Sequence, residues 1–491
     1  MNFEQVPKEI SIDEVINNAY SLSPLMYKKV QIKNRNVRKI SELIVEDNNY
    51  EKGNEPGSQW YVKKSNKYLI RTKALQDFSF LIYPKGEAIV PINPRKYIGG
   101  NLKRGEILLS KDSNIGEVAI VCDSECDSSD FSSGIVKLNI KNEFNPFYVF
   151  ACLKHDSFKE QLTVLCPRGA TIKHAGERWK ECCIAFPNQN NSDEIISHIS
   201  DAVQIVMSME KVIADKSQLI LDIITQNLIK SQKDGKYVYE YPTYSSFEKE
   251  KRLDAAIYCK EYKDKIQLIE NYTRGYYTPS EYGFTIIPGP SLEIKILKTR
   301  IDSDEYIPGF YKLLLPTNIS EYGTVNKIQY LGTKKKLPLI KKGDILFGEA
   351  GFQKGRSIVL VDEIDNCTTN AHGLYARRED LDIRKSIYFR CVFDWYRNMG
   401  LIDLMAVGGS GGHFSPEYFD YIRIPKFPDQ VIDTIVSQYS STVDINFGSN
   451  VKKMKDINLN DYGIVQLDRK VKILKEYISG TISKILNDER V

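Results

Sequence analysis

The chain of 491 residues contains no C-x2-C pair, only five histidines, and no run of the roughly 18 uninterrupted apolar residues that a membrane-spanning helix requires. Its nine cysteines do not form a metal-binding framework: Cys122 and Cys126 are four apart, Cys182 and Cys183 are adjacent, and the rest are scattered. They read as thiols of a reducing compartment, with neither zinc nor disulfides expected. The opening stretch MNFEQVPKEISIDEV is acidic and lacks an apolar core, so no secretory or transit signal is expected and the default location is the cytoplasm. No membrane partner is expected either.

Catalytic signatures are equally scarce. GFQKGRS, from Gly351 to Ser357, falls short of the G-x4-G-K-[ST] phosphate loop, and its counterpart SNIGEV carries no lysine. Asn145, Pro146, Phe147 and Tyr148 approach the [DNS]-P-P-[YFW] motif of adenine methyltransferases but lack its second proline, and they read as a helix start. No P-D-x(n)-E-x-K arrangement is present to hold magnesium. The expectation is a protein without a catalytic site of its own.

What the chain does have is a copy of itself. LKRGEILLS from Leu102 returns as IKKGDILFG from Ile340, a shift of 238 residues. SSGIVKLNI matches AHGLYARRE with Gly134 against Gly373, and RGATIKH matches GSGGH with His174 against His413. CIAFP, ending at Pro187, answers YIRIP, ending at Pro425, and Ile195 answers Ile432. Upstream, SLSPLMY from Ser21 resembles RLDAAIY from Arg252. At this length two cores are expected, and the ordered landmarks make them duplicates. In each copy, alternating apolar segments (EILLS, EVAIVC and GIVKLNI; then DILFGEA, RSIVLVD and GLYAR) predict short strands of a curved antiparallel sheet. An amphipathic helix follows, and a long helix closes each copy.

From Ser192, with Asp193 and Glu194 in its first turn, the first closing helix places Ile195, Ile199, Ala202, Val206, Met209, Ile213, Ile220 and Ile223 at coiled-coil spacing, interrupted by Lys216, with Leu228 just past the strict pattern. The second closing helix begins near Asp429, breaks around 446–450 and resumes from about Leu467 to Ile485, with Gly448 and Gly463 marking a hairpin or kink. So narrow a seam suits a partner helix, which predicts α+β architecture: two similar sheet-rich domains separated by long antiparallel, coiled-coil-like helices with a pseudo-two-fold duplication. The alternative is that each helix merely covers its own globule. The expected boundaries are 1–190 and 233–428 for the two domains, 191–232 for the first spacer helix, and 429–491 for the second, interrupted near 446–463.

Charge is partitioned in the same way. Between Asn190 and Gln232, six acids face three lysines, whereas the whole chain carries a net charge of +4. The surplus of basic residues therefore lies in the globular parts: Lys63, Lys64 and Lys67; Arg95 and Lys96; Lys103 and Arg104; Lys334, Lys335 and Lys336; Lys341 and Lys342; Arg377 and Arg378. Tyrosines interleave with them, giving the mixture of charge and rings that nucleic-acid binders use, although most lysine clusters are only solvated faces. Candidate DNA contacts are Lys103, Arg104, Arg168, Lys173, His174, Lys341, Lys342, Lys354, Arg356 and His413. For the two histidines, a hydrogen-bonded turn residue is the plain reading. A phosphate contact beside a glycine turn is the functional one.

Taken in order and twice over, GEILLSKDSNIGEVAIV and GDILFGEAGFQKGRSIVLV, the SSG and AHG steps, the glycine turns before His174 and His413, the proline-ended strands at Pro187 and Pro425 and the long helices resemble the specificity subunits of type I restriction-modification systems. The resemblance covers nearly the whole chain. It implies two target-recognition domains, each reading half of a bipartite site in double-stranded DNA. It also implies two methyltransferase subunits that carry S-adenosylmethionine and the chemistry, so that this chain binds no cofactor, and it allows a translocase or endonuclease subunit as a further partner. A related phage-defence complex and a coiled-coil scaffold without DNA binding are the competing readings. The break near Gly448 departs from the family pattern and bears on docking at the second helix, and the acidic tail from Met1 to Asn18 is an addition to it.

Overall fold

The computed structural model describes all residues except 1–3, 6, 18–19, 21, 23, 46–49, 85, 101, 123–127, 167–174, 236, 352–353, 409–411 and 444–456. The chain divides into two compact units, one of Met1–Val212, Ile445–Leu459 and Leu467–Val491, the other of Ile213–Asp444 and Asn460–Gln466. Among the described residues, no helix is long and apolar enough to cross a membrane.

In the first unit, besides a two-stranded pair formed by Glu4–Gln5 and Lys29–Val30, the strands are β1 (Val37–Lys39), β2 (Tyr50–Lys52), β3 (Tyr68–Ile70), β4 (Ile89–Pro91), β5 (Ile107–Ser110), β6 (Val118–Ile120), β7 (Ser129–Phe131), β8 (Ile135–Leu138) and β9 (Cys183–Ala185). Helices α1 (Pro146–Lys154) and α2 (Asp156–Leu165) precede β9, and α3 (Ser192–Lys230) follows it. One antiparallel sheet has the order β2-β8-β5-β6, a second has the order β4-β3-β7, and β9 pairs with β1.

The second unit repeats this plan with β10 (Tyr276–Tyr277), β11 (Thr285–Pro288), β12 (Ile301–Ser303), β13 (Tyr311–Leu313), β14 (Gln329–Gly332), β15 (Ile345–Gly348), β16 (Ser357–Val359), β17 (Cys367–Thr368), β18 (Gly373–Arg377) and β19 (Ile424–Pro425). Its helices include α4 (Ile383–Asn398) and α5 (Leu401–Met405), then α6 (Asp429–Tyr439), with α7 (Ile464–Leu486) closing the chain. Its sheets run β11-β18-β15-β16 and β12-β14-β13-β17, and β10 pairs with β19. The two units therefore share strand order, except that β12 adds an edge strand to the smaller sheet of the second. They also share an unexpected feature: β3–β7 and β13–β17 are parallel, where alternation of apolar residues suggested only antiparallel pairing.

Strand register corrects two of the sequence matches. Lys111 N–H donates to the Gly134 carbonyl at 2.9 Å, and Glu349 N–H donates to that of His372 at 3.0 Å. Gly134 thus occupies the place of His372, one residue before Gly373. At the closing strand, Phe186 N–H donates to the Asn36 carbonyl and Lys426 N–H to that of Gly275, so Ala185, not Pro187, stands where Pro425 does. Glycine and proline are conspicuous landmarks because they are rare, but pairing across the sheet decides which backbone positions correspond.

The cores correspond as well. Leu102, Leu108 and Val121 in the first match Ile340, Leu346 and Leu360 in the second. Burying each such side chain contributes on the order of 2 kcal/mol before entropy is counted.

Helix α3 runs 39 residues without interruption, about 58 Å at 1.5 Å per residue, and Ile213 begins its share of the second unit. Its buried face is wider than the seam read from sequence: Val203, Ile205 and Met207 are buried too, and Ile224 takes the place expected of Ile223. The reason lies in what covers it, which is globule as well as helix. Trp395 Nε1 on α4 donates to Thr225 Oγ1 at 2.9 Å. Lys216 is accommodated in the apolar face because its ammonium reaches Gln438 Oε1 at 2.7 Å and the Asn460 carbonyl at 2.9 Å. In the first unit, α7 lies antiparallel to the early turns of α3: Tyr477 meets His198, and Lys475 pairs with Glu210. In the second closing segment α6 ends at Tyr439 and α7 starts at Ile464; the expected break around 446–450 lies outside the described residues. Gly463 packs so closely that a Cβ there would lie 2.7 Å from Ser440 Cα, and Gly448 lies outside the described residues.

Candidate nucleic-acid interface

The repeated segments LKRGEILLS and IKKGDILFG build the same turn in both units. Gly105 (φ +86°) and Gly343 (φ +87°) occupy left-handed backbone, where a side chain would be strained. The turn is then closed by the acid that follows. Lys103 N–H donates to Glu106 Oε2 at 2.7 Å, and Lys341 N–H donates to Asp344 Oδ2 at 2.7 Å.

Each acid is held from behind by a buried or half-buried base on the neighbouring strand. Lys137 on β8 is 3.5 Å from Glu106, with a side chain only 4% exposed. Arg377 on β18 is bidentate to Asp344, through Nε at 2.9 Å and Nη2 at 2.6 Å, and Asp344 is fully buried. The hydrogen bond to Asp344 is the largest influence holding the Arg377 guanidinium above its ordinary pKa. The cation of this pair points inward to lock the turn, and the two residues at its tip face out: Lys103, Arg104 and Lys341 are exposed, and Lys342 is half-exposed. No carboxylate among the described residues forms an ion pair with any of these four. Two rigid, unneutralised basic turns suit phosphate contacts, which position a duplex without reading its sequence.

The remaining candidates fall elsewhere. Lys354 and Arg356 lie beyond the far end of β15, separated from Lys341 and Lys342 by the length of that strand, so the ten candidates do not form one site. Arg356 is 4% exposed, and its guanidinium is taken up by Glu321 and, at 3.0 Å, by the Ile319 carbonyl. It serves the interior. Lys354 is likewise drawn in, its side chain 8% exposed and its ammonium 2.9 Å from Asp403. His413 holds its turn through the backbone, donating to the Val407 carbonyl at 2.8 Å and accepting from Val407 N–H at 3.1 Å, as the plain reading of that residue anticipates. Its side chain is exposed, with Nδ1 3.9 Å from Glu349. Arg168, Lys173 and His174 lie outside the described residues. The residues following the two histidines do match: Ala175 N–H donates to the Lys111 carbonyl as Phe414 N–H does to that of Glu349, both at 2.8 Å.

Glu106 and Asp344 were not among the candidates, although both stand in the repeated segment. The signal that identifies them is K-x-G-[DE], in which an acid three residues on can accept from the turn's first N–H.

No protein-family model and no curated protein matches the chain. Among solved structures it is similar to the S subunit of a type I restriction-modification system from M. genitalium, at 13% identity and a TM-score of 0.39 over 94% of this chain and 98% of that one. It is also similar to a chain from a type I R-M system studied for its assembly and conformational transition (11% identity, TM-score 0.29, covering 94% and 100%). A third likeness is to the HsdS subunit from Thermoanaerobacter tengcongensis (12%, 0.27, 93% and 98%). With TM-scores below 0.5, the functional reading rests on the chain's own duplication and turns.

Proposed function

We propose that the chain is a non-catalytic DNA-specificity subunit whose two domains, spanning 1–190 and 233–428, each recognise half of a bipartite duplex site. In this reading it works in the cytoplasm and directs two methyltransferase subunits to that site, which hold S-adenosylmethionine and perform the chemistry. The reading leaves room for a translocase or endonuclease subunit as a further partner. The observation that carries the proposal is the twofold occurrence of one basic turn, locked by Glu106 in one copy and Asp344 in the other. Duplicated anion-binding turns on duplicated folds call for a ligand that presents phosphates at two places, which duplex DNA does. Sequence would be read by neighbouring loops in the major groove, where every base pair has a distinct pattern of donors and acceptors.

The test is a filter-binding titration of the chain with its partner subunits across a salt series. Sequence-selective binding that weakens steeply with salt is expected. Absence of binding at low salt would leave the scaffold reading in its place.

A further inference from the structure

The smaller sheet of each unit carries a second pair of equivalent basic turns. In the first unit Leu69 sits between Val90 and Asp130; in the second Leu313 sits between Gln329 and Thr368. Val90 therefore corresponds to Gln329. Counting onward past the ends of β4 and β14, Arg95 and Lys96 fall on Lys334 and Lys335, within one residue of the match that the 238-residue shift from Leu102 to Ile340 gives. Pro94, Arg95 and Lys96 are all exposed, as are Lys334, Lys335 and Lys336.

Both turns have backbones fixed by side chains, with the cations left outside. In the first, Asn93 Oδ1 accepts from Arg95 N–H at 3.0 Å, and Asn93 N–H donates to the Trp60 carbonyl at 3.0 Å. The Lys96 ammonium lies 4.7 Å from the centre of the Trp60 ring, and the Lys67 ammonium 4.0 Å from that of Tyr97. In the second, Lys334 N–H donates to Thr299 Oγ1 and Lys335 N–H to Thr333 Oγ1, both at 3.2 Å. Tyr311 Oη accepts from Leu337 N–H at 3.2 Å.

Several other basic residues of the second unit's smaller sheet and its approaches are neutralised, Lys295 by Glu293, Arg300 by Asp302 and Lys327 by Asp304. No carboxylate among the described residues forms an ion pair with Arg95, Lys96, Lys334, Lys335 or Lys336. An unpaired, exposed and backbone-fixed cluster, in the same place in two copies, is built for an anion. In the first unit it is joined to the turn at Lys103 and Arg104 by a segment whose Ile98 and Gly99 N–H groups are held by Asp130 at 2.9 and 3.0 Å. Two anchored basic turns on one short stretch fit an extended polyanion better than a single small one.

We infer that Arg95 with Lys96, and Lys334 with Lys335, form a second phosphate-binding turn in each unit, so that each unit grips the DNA backbone at two places. This rests on the DNA-binding reading given above. The experiment uses the full chain with its partner subunits and a duplex carrying the mapped site, recording log Kd against log salt. The double variants R95Q/K96Q and K334Q/K335Q should each reduce the slope by about 2, near one for each phosphate no longer neutralised. They should weaken specific and unrelated duplexes by the same factor and leave the methylated sequence unchanged. A slope unchanged in both, while K103Q/R104Q lowers it, would overturn the second turn and leave the function standing. Salt-independent or absent binding by the unaltered assembly would overturn the function and this inference together. Thermal melting that matches the unaltered chain establishes that a slope change comes from the removed charges rather than from a damaged fold.

Discussion

At the residue scale, two acids do the positioning and four bases face outward. Asp344 is fully buried and bidentate with Arg377, so Asp344→Ala would strand a guanidinium and release the Lys341 turn at once. The expected cost is about 3 kcal/mol, read as a lowered denaturation midpoint. Lys341→Gln, by contrast, should leave stability within about 0.5 kcal/mol while weakening DNA binding; equal losses of stability in both would contradict the division of labour. The acids' role was only half visible in the sequence. Both lie in the repeated motif, but the bases behind them, Lys137 and Arg377, lie more than 30 residues away and meet them only through pairing across the sheet.

His155 is a different kind of buried residue. Its ring bridges Ser157 and Ser483, each at 2.9 Å, and burial pushes its pKa down to about 4. The folded state thus favours the neutral ring. The contribution of His155 is complete above the unfolded value near 6.5 and is lost as pH falls toward 4. A titration of stability from pH 7 to 4 should show a decline on the order of 3 kcal/mol from this residue. His155→Gln should flatten it, and an unaltered profile would assign the decline to other groups.

At the scale of elements, the duplication was legible because strand segments such as EILLS and DILFG keep their spacing, and core residues from Leu102 and Ile340 onward follow it. Strand direction was not legible: three-residue strands such as β3 and β7 carry no sign of whether they pair parallel or antiparallel. Nor was the width of the α3 face, because a seam in sequence records the most regular apolar positions, whereas Val203 and Met207 are buried by additional neighbours. The two units also answer one another in how a helix is received. His155, at the start of α2, bonds to Ser483 of α7, and Trp395 of α4 bonds to Thr225 of α3. Trp395→Phe keeps an aromatic ring but removes the N–H, leaving Thr225 without that donor. A loss of about 1 kcal/mol is expected, and no change in the melting transition would show the bond to be incidental.

At the scale of the whole molecule, α3 belongs in part to each unit; in the proposed reading its unbroken length sets the unread gap between half-sites. Adding one or two helical turns between Ser192 and Leu228 should alter that gap while preserving both half-sites. Methylation mapping that found the gap unchanged would remove α3 from that role. The central claim, however, concerns the units themselves: each reads its own half of the target. Replacing residues 60–170 with the equivalent segment of another such subunit, and mapping methylated sites in cells that also contain the partner methyltransferases, tests it most directly. The account predicts a new sequence in one half-site with the other half intact; a change in both halves, or in neither, would contradict it.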